Sequence, residues 1–249
     1  MFILNLHIIA CQIFQRELSY YISQSPNSIS ITWLPQGLHD TPNLLRNKIN
    51  QTVAEIEEQK KQGLLKHVPE AIILGYGLCS NGVTEICAET IPIIIPRTDD
   101  CIALFLGSQS RYLELFNKYN GTYWLNNGWI ETAFIPSKEM IEQRSMYYKE
   151  KYSEDNAAYL IEQDILWTKN YHYCGYITSP VYKSLKYPSY AKTIADEQQW
   201  EYIQVDGDMN LIEKLTSGQW DDEEFLICPP QHKVVASFDE SKIKAVPII

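Results

Sequence analysis

Residues 71–82 read AIILGYGLCSNG, an apolar run that passes directly into a glycine-rich turn. The run from Ala71 to Gly75 predicts a short buried strand. Three glycines and Asn81 allow the positive φ values of a tight turn, and the segment Val83 to Ala88 is predicted to follow as a helix. A strand, a turn and a helix in this order indicate a fold of the α/β class.

The same alternation extends along most of the chain. The other predicted strands are short apolar runs, at Phe2 to Ala10, Ser30 to Leu34, Ile91 to Ile95, Thr122 to Leu125, Tyr171 to Thr178, Glu201 to Val205 and Glu224 to Cys228. The predicted helices have apolar residues at helical spacing, at Gln12 to Gln24, Asn43 to Gln62, Ser108 to Tyr119, Ser184 to Gln199 and Met209 to Ser217.

Strands that alternate with helices of this length indicate parallel βαβ units. Between them, Ser137 to Lys169 is predicted as two helices with a break near Ser153. The sequence therefore predicts a Rossmann-like α/β protein with parallel sheets and two βαβ halves. The expected segments are an N-terminal half at 1–135, a helical connector at 136–170 and a C-terminal half at 171–249.

Composition excludes several classes of protein. The 249 residues carry 21 Lys and Arg against 31 Asp and Glu, a net charge of −10, and contain no basic run. We therefore expect no nucleic-acid partner and no binding to a membrane. No stretch approaches the roughly 20 apolar residues of a membrane span, and the N-terminus reads as a strand rather than a signal peptide. A cytoplasmic location is expected, where the six cysteines would stay reduced.

Cysteine and histidine residues follow four consecutive predicted strands, at Cys11, His39, Cys79 and Cys101. In open α/β sheets, ligands bind at the carboxyl ends of the strands, so these side chains are expected to converge. Thiolate and imidazole are preferred donors for Zn²⁺. The four residues are therefore candidate zinc ligands, and the three cysteines alone could hold an iron–sulfur cluster. The alternative is that each cysteine is a small buried apolar residue.

The glycine turn itself is a second candidate site. Backbone N–H groups at Gly75, Tyr76, Gly77, Asn81 and Gly82 could turn toward an anionic cofactor at the start of the expected helix. A cysteine at such a helix start would have a lowered pKa. The alternative is a tight turn that binds no ligand.

Three charged residues after the fourth strand are candidates for catalysis. Asp99 or Asp100 could orient a metal-bound histidine or act as a general base. Arg97 could hold a carboxylate or a phosphate. Alternatively, one aspartate caps the helix that begins near Cys101, and Arg97 pairs with it.

These same residues carry a resemblance to a known family. The shared elements occur in one order from residue 1 to about 230, and they are Ala10-Cys11 with Glu17-Leu18, Leu38-His39 with Pro42, Gly75 to Cys79 with Asn81-Gly82, Pro96-Arg97 with Asp99-Asp100-Cys101, Gly107-Ser108 and Gly128-Trp129. The chain thereby resembles the domain-of-unknown-function family 1638. The resemblance implies a prokaryotic intracellular protein that is often encoded beside corrinoid-dependent methyltransferase systems for methylated amines, and it supplies no established activity.

The combined expectation is a zinc protein of one-carbon or methylamine metabolism. Its site would transfer a methyl group to or from a zinc-held thiolate, or would serve an accessory role with a corrinoid protein or methyltransferase. The chain lacks the D-x-H-x-x-G signature of corrinoid binding, so a partner would have to bring a corrinoid. Two alternatives stay open, a metal-free protein that binds a small anionic or methylated ligand and an iron–sulfur protein.

Overall fold

The protein has an α/β fold, as the sequence predicts, and the computed structural model describes residues 3–248. The strands in chain order are β1 (Asn5–Cys11), β2 (Ser28–Leu34), β3 (Ala71–Gly75), β4 (Ile93–Pro96), β5 (Thr122–Leu125), β6 (Tyr173–Thr178), β7 (Glu201–Asp206), β8 (Phe225–Cys228), β9 (His232–Ala236) and β10 (Ile243–Pro247). The α-helices are α1 (Gln15–Gln24), α2 (Pro42–Lys61), α3 (Cys101–Leu106), α4 (Gln109–Lys118), α5 (Asn127–Thr132), α6 (Lys138–Lys151), α7 (Glu154–Ile165), α8 (Lys186–Gln198) and α9 (Asn210–Ser217).

The first sheet has the order β2-β1-β3-β4-β8. Its first four strands are parallel, and β8 pairs with β4 in the antiparallel direction. The central strands are apolar on both faces, and Ile8 and Ile73, which are paired in register, are fully buried. Strands buried on both faces read as continuous apolar runs, which explains why the sequence identifies β3 and β4 so directly.

The second sheet is entirely parallel, with the order β5-β6-β7. Residues of β5, β6 and α8 form most of its core, together with Ile135 and with Trp200, which directly precedes β7. The buried members of this cluster are Leu125, Ile135, Cys174, Tyr176, Ala191, Ile194, Ala195 and Trp200. The predicted pair of helices around Ser153 is confirmed as α6 and α7.

Contacts divide the chain into two compact units. One unit contains Met1–Tyr112 and Asp208–Ile249, and the other contains Leu113–Gly207. This division differs from the expected segments 1–135, 136–170 and 171–249. The reason is that α9 and β8 belong with the first unit, where β8 adds a fifth strand to the sheet instead of extending the second one.

Some predicted elements change at their ends or disappear. The first strand is Asn5–Cys11, and Phe2, where it was expected to begin, lies outside the described residues. The helix expected from Val83 to Ala88 does not form. Its backbone pairs with β9 instead, because the Glu85 N–H donates to the Val234 carbonyl at 2.7 Å and the Val234 N–H donates to the Ile86 carbonyl at 3.0 Å. No helix within residues 3–248 is long and apolar enough to cross a bilayer.

Candidate thiol site

Three free cysteines lie at the carboxyl end of the first parallel sheet. Cys11 is the last residue of β1, Cys79 lies four residues after β3, and Cys101 is the first residue of α3, after β4. Their exposed fractions are only 3, 4 and 6%. The Sγ atoms of Cys79 and Cys101 are 3.6 Å apart. The topology thus brings together three thiols that are distant in sequence, and we call this cluster the thiol site.

Two hydrogen-bonded turns hold Cys79 against Cys101. The N–H groups of Leu78 and Cys79 donate to the carbonyls of Thr98 and Asp99, at 2.8 and 3.0 Å. Gly77 permits this approach, because a Cβ there would stand 2.7 Å from the Asp100 carbonyl. The glycine is therefore required by the packing of one turn on the other.

The turn that carries Cys79 has unusual backbone geometry. Cys79, Ser80 and Asn81 have φ values of 46, 55 and 65°, in the left-handed region that costs L-residues roughly 1–2 kcal/mol each. The Gly82 N–H donates to the Cys79 carbonyl at 2.9 Å and closes the turn. Arg46 of α2 fastens it, since its Nη2 donates to the Asn81 carbonyl at 3.0 Å. Strain of this kind concentrates at functional sites.

Two buried hydroxyl groups beside the turns have no hydrogen-bond partner within the described chain. They belong to Tyr76, which is 3% exposed, and to Thr98, which is 2% exposed. Burial raises the pKa of the Tyr76 phenol, and the thiols of Cys11, Cys101 and Cys79 are its further electrostatic neighbours. The Tyr76 hydroxyl therefore belongs to the thiol site. The sequence placed Tyr76 in the glycine turn but gave no signal for Thr98.

Burial and a hydrogen bond raise the pKa of two of the three thiols, Cys11 and Cys101. Burial raises the pKa of Cys11 to about 11. The hydrogen bond with Cys79 and then burial raise the pKa of Cys101 well above its usual range. The helix that was expected to lower the pKa of Cys79 is replaced by the strained turn. A neutral thiol is a poor nucleophile, so chemistry at this site requires something that stabilises the thiolate.

The position of His39 differs from that expected of a zinc ligand. It sits on a short 3₁₀ turn, Leu38–Asp40, where its Nε2 is 3.3 Å from the Asp40 carboxylate and its side chain is 37% exposed. Among residues 3–248, no group of three or more His, Cys, Asp or Glu side chains is arranged to hold a metal ion. The expected four-ligand set of Cys11, His39, Cys79 and Cys101 is therefore not preassembled.

Arg97 binds the backbone of its own chain. Its Nε donates to the Asp222 and Phe225 carbonyls at 2.9 and 3.2 Å. Its Nη1 donates to the carbonyls of Ser241 and Ile243 at 3.0 and 2.5 Å. The guanidinium thus links the first residues of β8 and β10, Phe225 and Ile243.

Both aspartates after β4 are also engaged within the chain. Asp100 caps α3 by accepting from the Ile102 N–H at 2.8 Å, which is the alternative that the sequence left open. Asp99 accepts from the Gln109 side chain at 2.6 Å and lies 3.2 Å from the Lys242 ammonium. Both carboxylates therefore make structural contacts next to the thiol site.

Cys228 does not join the thiol site. Because β8 runs antiparallel to β4, Cys228 pairs with Ile93, the first residue of β4. It therefore lies toward the amino end of the parallel strands, opposite the end at which Cys79 and Cys101 meet.

The second sheet has a different polar cluster at its carboxyl end. The Tyr176 hydroxyl donates to Asn127 Oδ1 at 2.6 Å, and Asn127 Nδ2 donates to the Tyr182 carbonyl at 3.0 Å. Asn126 caps α5 through Oδ1, while its buried Nδ2 has no partner among the described atoms. A cavity of about 380 Å³ adjoins Tyr176 and includes Thr178 and Asp206 in its wall.

Comparison with known proteins supports a family and no activity. No curated protein and no solved structure matches the chain. The family described as "Protein of unknown function (DUF1638)" matches residues 33–216, which include Cys79, Cys101 and the whole second unit. The chain therefore belongs to the DUF1638 family.

Proposed function

We propose that this protein binds a thiophilic metal cation, Zn²⁺ in the first instance, through the thiolates of Cys11, Cys79 and Cys101. The observation that carries the proposal is that three free, buried thiols lie at the carboxyl ends of parallel strands, with a buried phenol that has no hydrogen-bond partner in the described part of the chain. A soft cation would replace the thiol protons and offset the cost of burying thiolates.

The distance between two of the sulfurs fits such a site. Two sulfur ligands at about 2.3 Å from a tetrahedral zinc ion are about 3.8 Å apart. The Sγ atoms of Cys79 and Cys101 are separated by 3.6 Å. Cys11, at the end of the neighbouring strand β1, would supply the third thiolate, and His39 is not required.

A cation held by three thiolates keeps a fourth position open for a substrate, as catalytic zinc sites do. A thiol bound there loses its proton more readily and becomes a nucleophile. The enzymatic form of the proposal is methyl transfer in one-carbon metabolism of the cytoplasm. The bound thiolate would attack the methyl carbon, and the donor would leave with the electron pair of the broken bond. A corrinoid protein or methyltransferase partner would present that methyl group; in the accessory form, the protein only holds or delivers the metal.

Metal content tests the proposal directly. Protein purified anaerobically without chelator should contain about one zinc per chain, measured by elemental analysis. Cys79→Ser and Cys101→Ser should each lose most of it. The matched control is Cys174→Ser, which changes a buried cysteine in the second unit whose thiol contacts the Ala191 carbonyl. Full zinc content in both site variants would eliminate the shared site.

Other results of the metal analysis would favour an iron–sulfur cluster or a protein without metal. Iron together with a broad absorption band near about 400 nm would replace zinc with an iron–sulfur cluster on the same cysteines. No metal after reconstitution with zinc and iron would contradict the metal proposal.

The second candidate function is binding of a small molecule without metal, which the 380 Å³ cavity of the second unit favours. Cavities that bind small ligands commonly begin at about this size. Thermal-shift screening with carboxylates, betaines and phosphates tests it, because a bound ligand raises the melting temperature by mass action.

A further inference from the structure

Cys79 and Cys101 are two free thiols in direct contact with each other. Their Sγ atoms are 3.6 Å apart, and the two residues are only 4 and 6% exposed. The buried thiol of Cys174 makes a different contact, since it donates to the Ala191 carbonyl at 3.4 Å. Two sulfur atoms in contact can form a covalent bond with each other, which a thiol beside a carbonyl oxygen cannot do.

Backbone contacts and a helix cap hold both cysteines in place. The Cys79 N–H donates to the Asp99 carbonyl at 3.0 Å, and the Asp100 carboxylate caps α3, which begins at Cys101. The two positions are thus fixed by contacts other than the one between the sulfur atoms. An S–S bond is about 2.05 Å long, so the sulfur atoms, now 3.6 Å apart, need to approach by about 1.5 Å to form one.

The turn that carries Cys79 continues directly to the protein surface. Ser80 and Asn81, the next two residues, are both exposed. The cysteines themselves are almost fully buried, so the surface of another protein does not reach their sulfur atoms. A small molecule is therefore the kind of oxidant that this placement favours.

A hydrogen-bond donor is available to a thiolate formed at the pair. The buried Tyr76 hydroxyl has no hydrogen-bond partner within residues 3–248, and Cys101 and Cys79 are among its electrostatic neighbours. Thiol sulfur is only a weak acceptor, whereas an anionic acceptor forms the stronger hydrogen bond. The phenol is thus placed to stabilise the anion through which thiol chemistry proceeds.

We propose that Cys79 and Cys101 form a reversible disulfide by exchange with a small-molecule disulfide. The thiolate of one cysteine attacks a sulfur atom of the small disulfide, whose S–S bond breaks and releases one small thiolate. The thiolate of the other cysteine then attacks the protein sulfur of this mixed disulfide and releases the second small thiolate. The released thiolates take up the two protons. The cysteine pair is oxidised by two electrons, and the small disulfide is reduced to two thiols.

This proposal goes beyond the metal site proposed above and does not depend on it, because it needs only the two sulfur atoms in contact. Sulfur atoms joined in a disulfide are no longer thiolates and do not serve as thiolate ligands. Oxidation would therefore close the thiol site to a cation, and reduction would reopen it.

Peptide mapping by mass spectrometry tests the proposal. Protein freed of metal with a chelator is incubated anaerobically with glutathione disulfide at mildly alkaline pH, where more of the thiol is ionised. The remaining thiols are then alkylated and the protein is digested. We expect the peptides that carry Cys79 and Cys101 to be joined, and dithiothreitol to separate them. Free thiols at both positions, or a link from either cysteine to Cys11, would overturn the proposal.

Four single substitutions define the pair. Cys79→Ser and Cys101→Ser should each abolish the internal link. Cys11→Ser and Cys174→Ser are the matched controls, since each removes another buried thiol, and both should form the link as wild type does. Loss of the link in Cys11→Ser would also overturn the proposal, because the reaction would then require the third thiol.

The oxidation experiment and the zinc measurement can fail independently. If the link forms in a protein that binds no zinc, the metal proposal fails and the disulfide stands. If zinc binds but the chelator-treated protein forms no link, only the disulfide is overturned. Where both hold, zinc-loaded wild type should keep the two thiols reduced under the conditions that join them in the metal-free protein. Equally fast linking would place the zinc elsewhere and contradict the metal proposal alone.

Discussion

Each of the two larger sheets has a buried tyrosine toward the carboxyl end of a central parallel strand. Within residues 3–248, the hydroxyl group of this tyrosine is hydrogen-bonded in the second sheet and not in the first. The Tyr176 hydroxyl in β6 donates to Asn127 Oδ1, and Asn127 Nδ2 in turn donates to the Tyr182 carbonyl. Tyr76, which directly follows β3, has three thiols as electrostatic neighbours, and its hydroxyl has no hydrogen-bond partner among residues 3–248. Among residues 3–248, the second edge also has a buried group without a partner, Asn126 Nδ2, but there the buried phenol itself is hydrogen-bonded. The first edge differs because two unpartnered hydroxyl groups lie beside free thiols, and the proposed site is based on this combination.

The largest predicted effect comes from a pair of matched glycines. A Cβ on Gly75 would lie 2.7 Å from the Cβ of Ala10, and one on Gly175 would lie 2.6 Å from the Trp124 ring. Gly75→Ala and Gly175→Ala should each lower the free energy of unfolding by about 2–3 kcal/mol through overpacking, measured by urea denaturation. Only Gly75→Ala should also reduce zinc content, because it shifts β3 against β1 and with it Cys79 against Cys11. Equal zinc loss in both variants would show that the two edges are not independent.

A substitution in the second unit should make its edge resemble the first. Asn127→Ala removes the acceptor of the hydrogen bond from the Tyr176 hydroxyl, at a cost of about 1–3 kcal/mol in the free energy of unfolding. Adding Tyr176→Phe should then cost less than it does in wild type, because the hydrogen bond to Asn127 is already lost. A double-mutant cycle measures the coupling. Strictly additive effects would show that the hydrogen bond contributes nothing to the difference between the edges.

Asp100→Asn tests whether the carboxylate next to the thiol site works as a cap. Asparagine caps helices as well as aspartate does, and the Tyr112 hydroxyl, which now donates to the carboxylate, can rotate to accept from an amide. Burial raises the pKa of Asp100 in the folded protein, so the folded state binds this proton more tightly than the unfolded chain. The charged form therefore costs stability above the folded pKa, by about 1.4 kcal/mol for each unit of the rise.

The expected signature of Asp100→Asn is a gain in stability at neutral pH that disappears as the pH falls toward about 4, where aspartate in the unfolded chain takes up its proton. Unfolding by urea across this range measures it. Zinc content should stay unchanged. Loss of zinc with unchanged stability would instead assign the carboxylate to the site.

The smallest effect concerns the strained turn, which has no counterpart at the edge of the second sheet. Ser80 is exposed and has a φ of 55°. Ser80→Gly should raise the free energy of unfolding by about 0.5–1 kcal/mol, since glycine adopts this conformation without steric cost. Ser80→Ala is the matched control and should bring no gain, because alanine keeps the strain. A gain with alanine would mean that the backbone is not the source.

The sequence predicts strands more reliably than it predicts their partners. The buried runs of β3 and β4 are visible because every residue in them is apolar or small, and β1 is visible through its apolar run from Ile8 to Cys11. Phe225–Cys228 is equally visible as a strand, yet its apolar run carries no information on which sheet it joins. Likewise, the segment after Gly82 looked helical by itself, and its pairing with β9 overrides that local preference.

For the candidate site, too, the sequence predicts what lies at strand ends better than it predicts tertiary partners. The rule that residues after parallel strands converge brings Cys79 and Cys101 together correctly, since both follow interior strands. His39 follows β2 at the edge of the sheet, and its short turn leaves it half-exposed beside Asp40. Arg97 donates its hydrogen bonds to carbonyl groups more than 120 residues further along the chain. No local sequence pattern predicts these partners.

The split of the first unit across the sequence has a consequence for synthesis on the ribosome. β4 ends at Pro96, and its antiparallel neighbour β8 begins about 130 residues later, after the whole second unit. At a synthesis rate of about 5–20 residues per second, roughly 6–26 seconds pass before β8 can pair with the outer edge of β4. The second unit is continuous in sequence and can complete its own folding during that interval. A released chain truncated between residues 207 and 225 should therefore form the parallel sheet of three strands, while its first sheet still lacks the last strand.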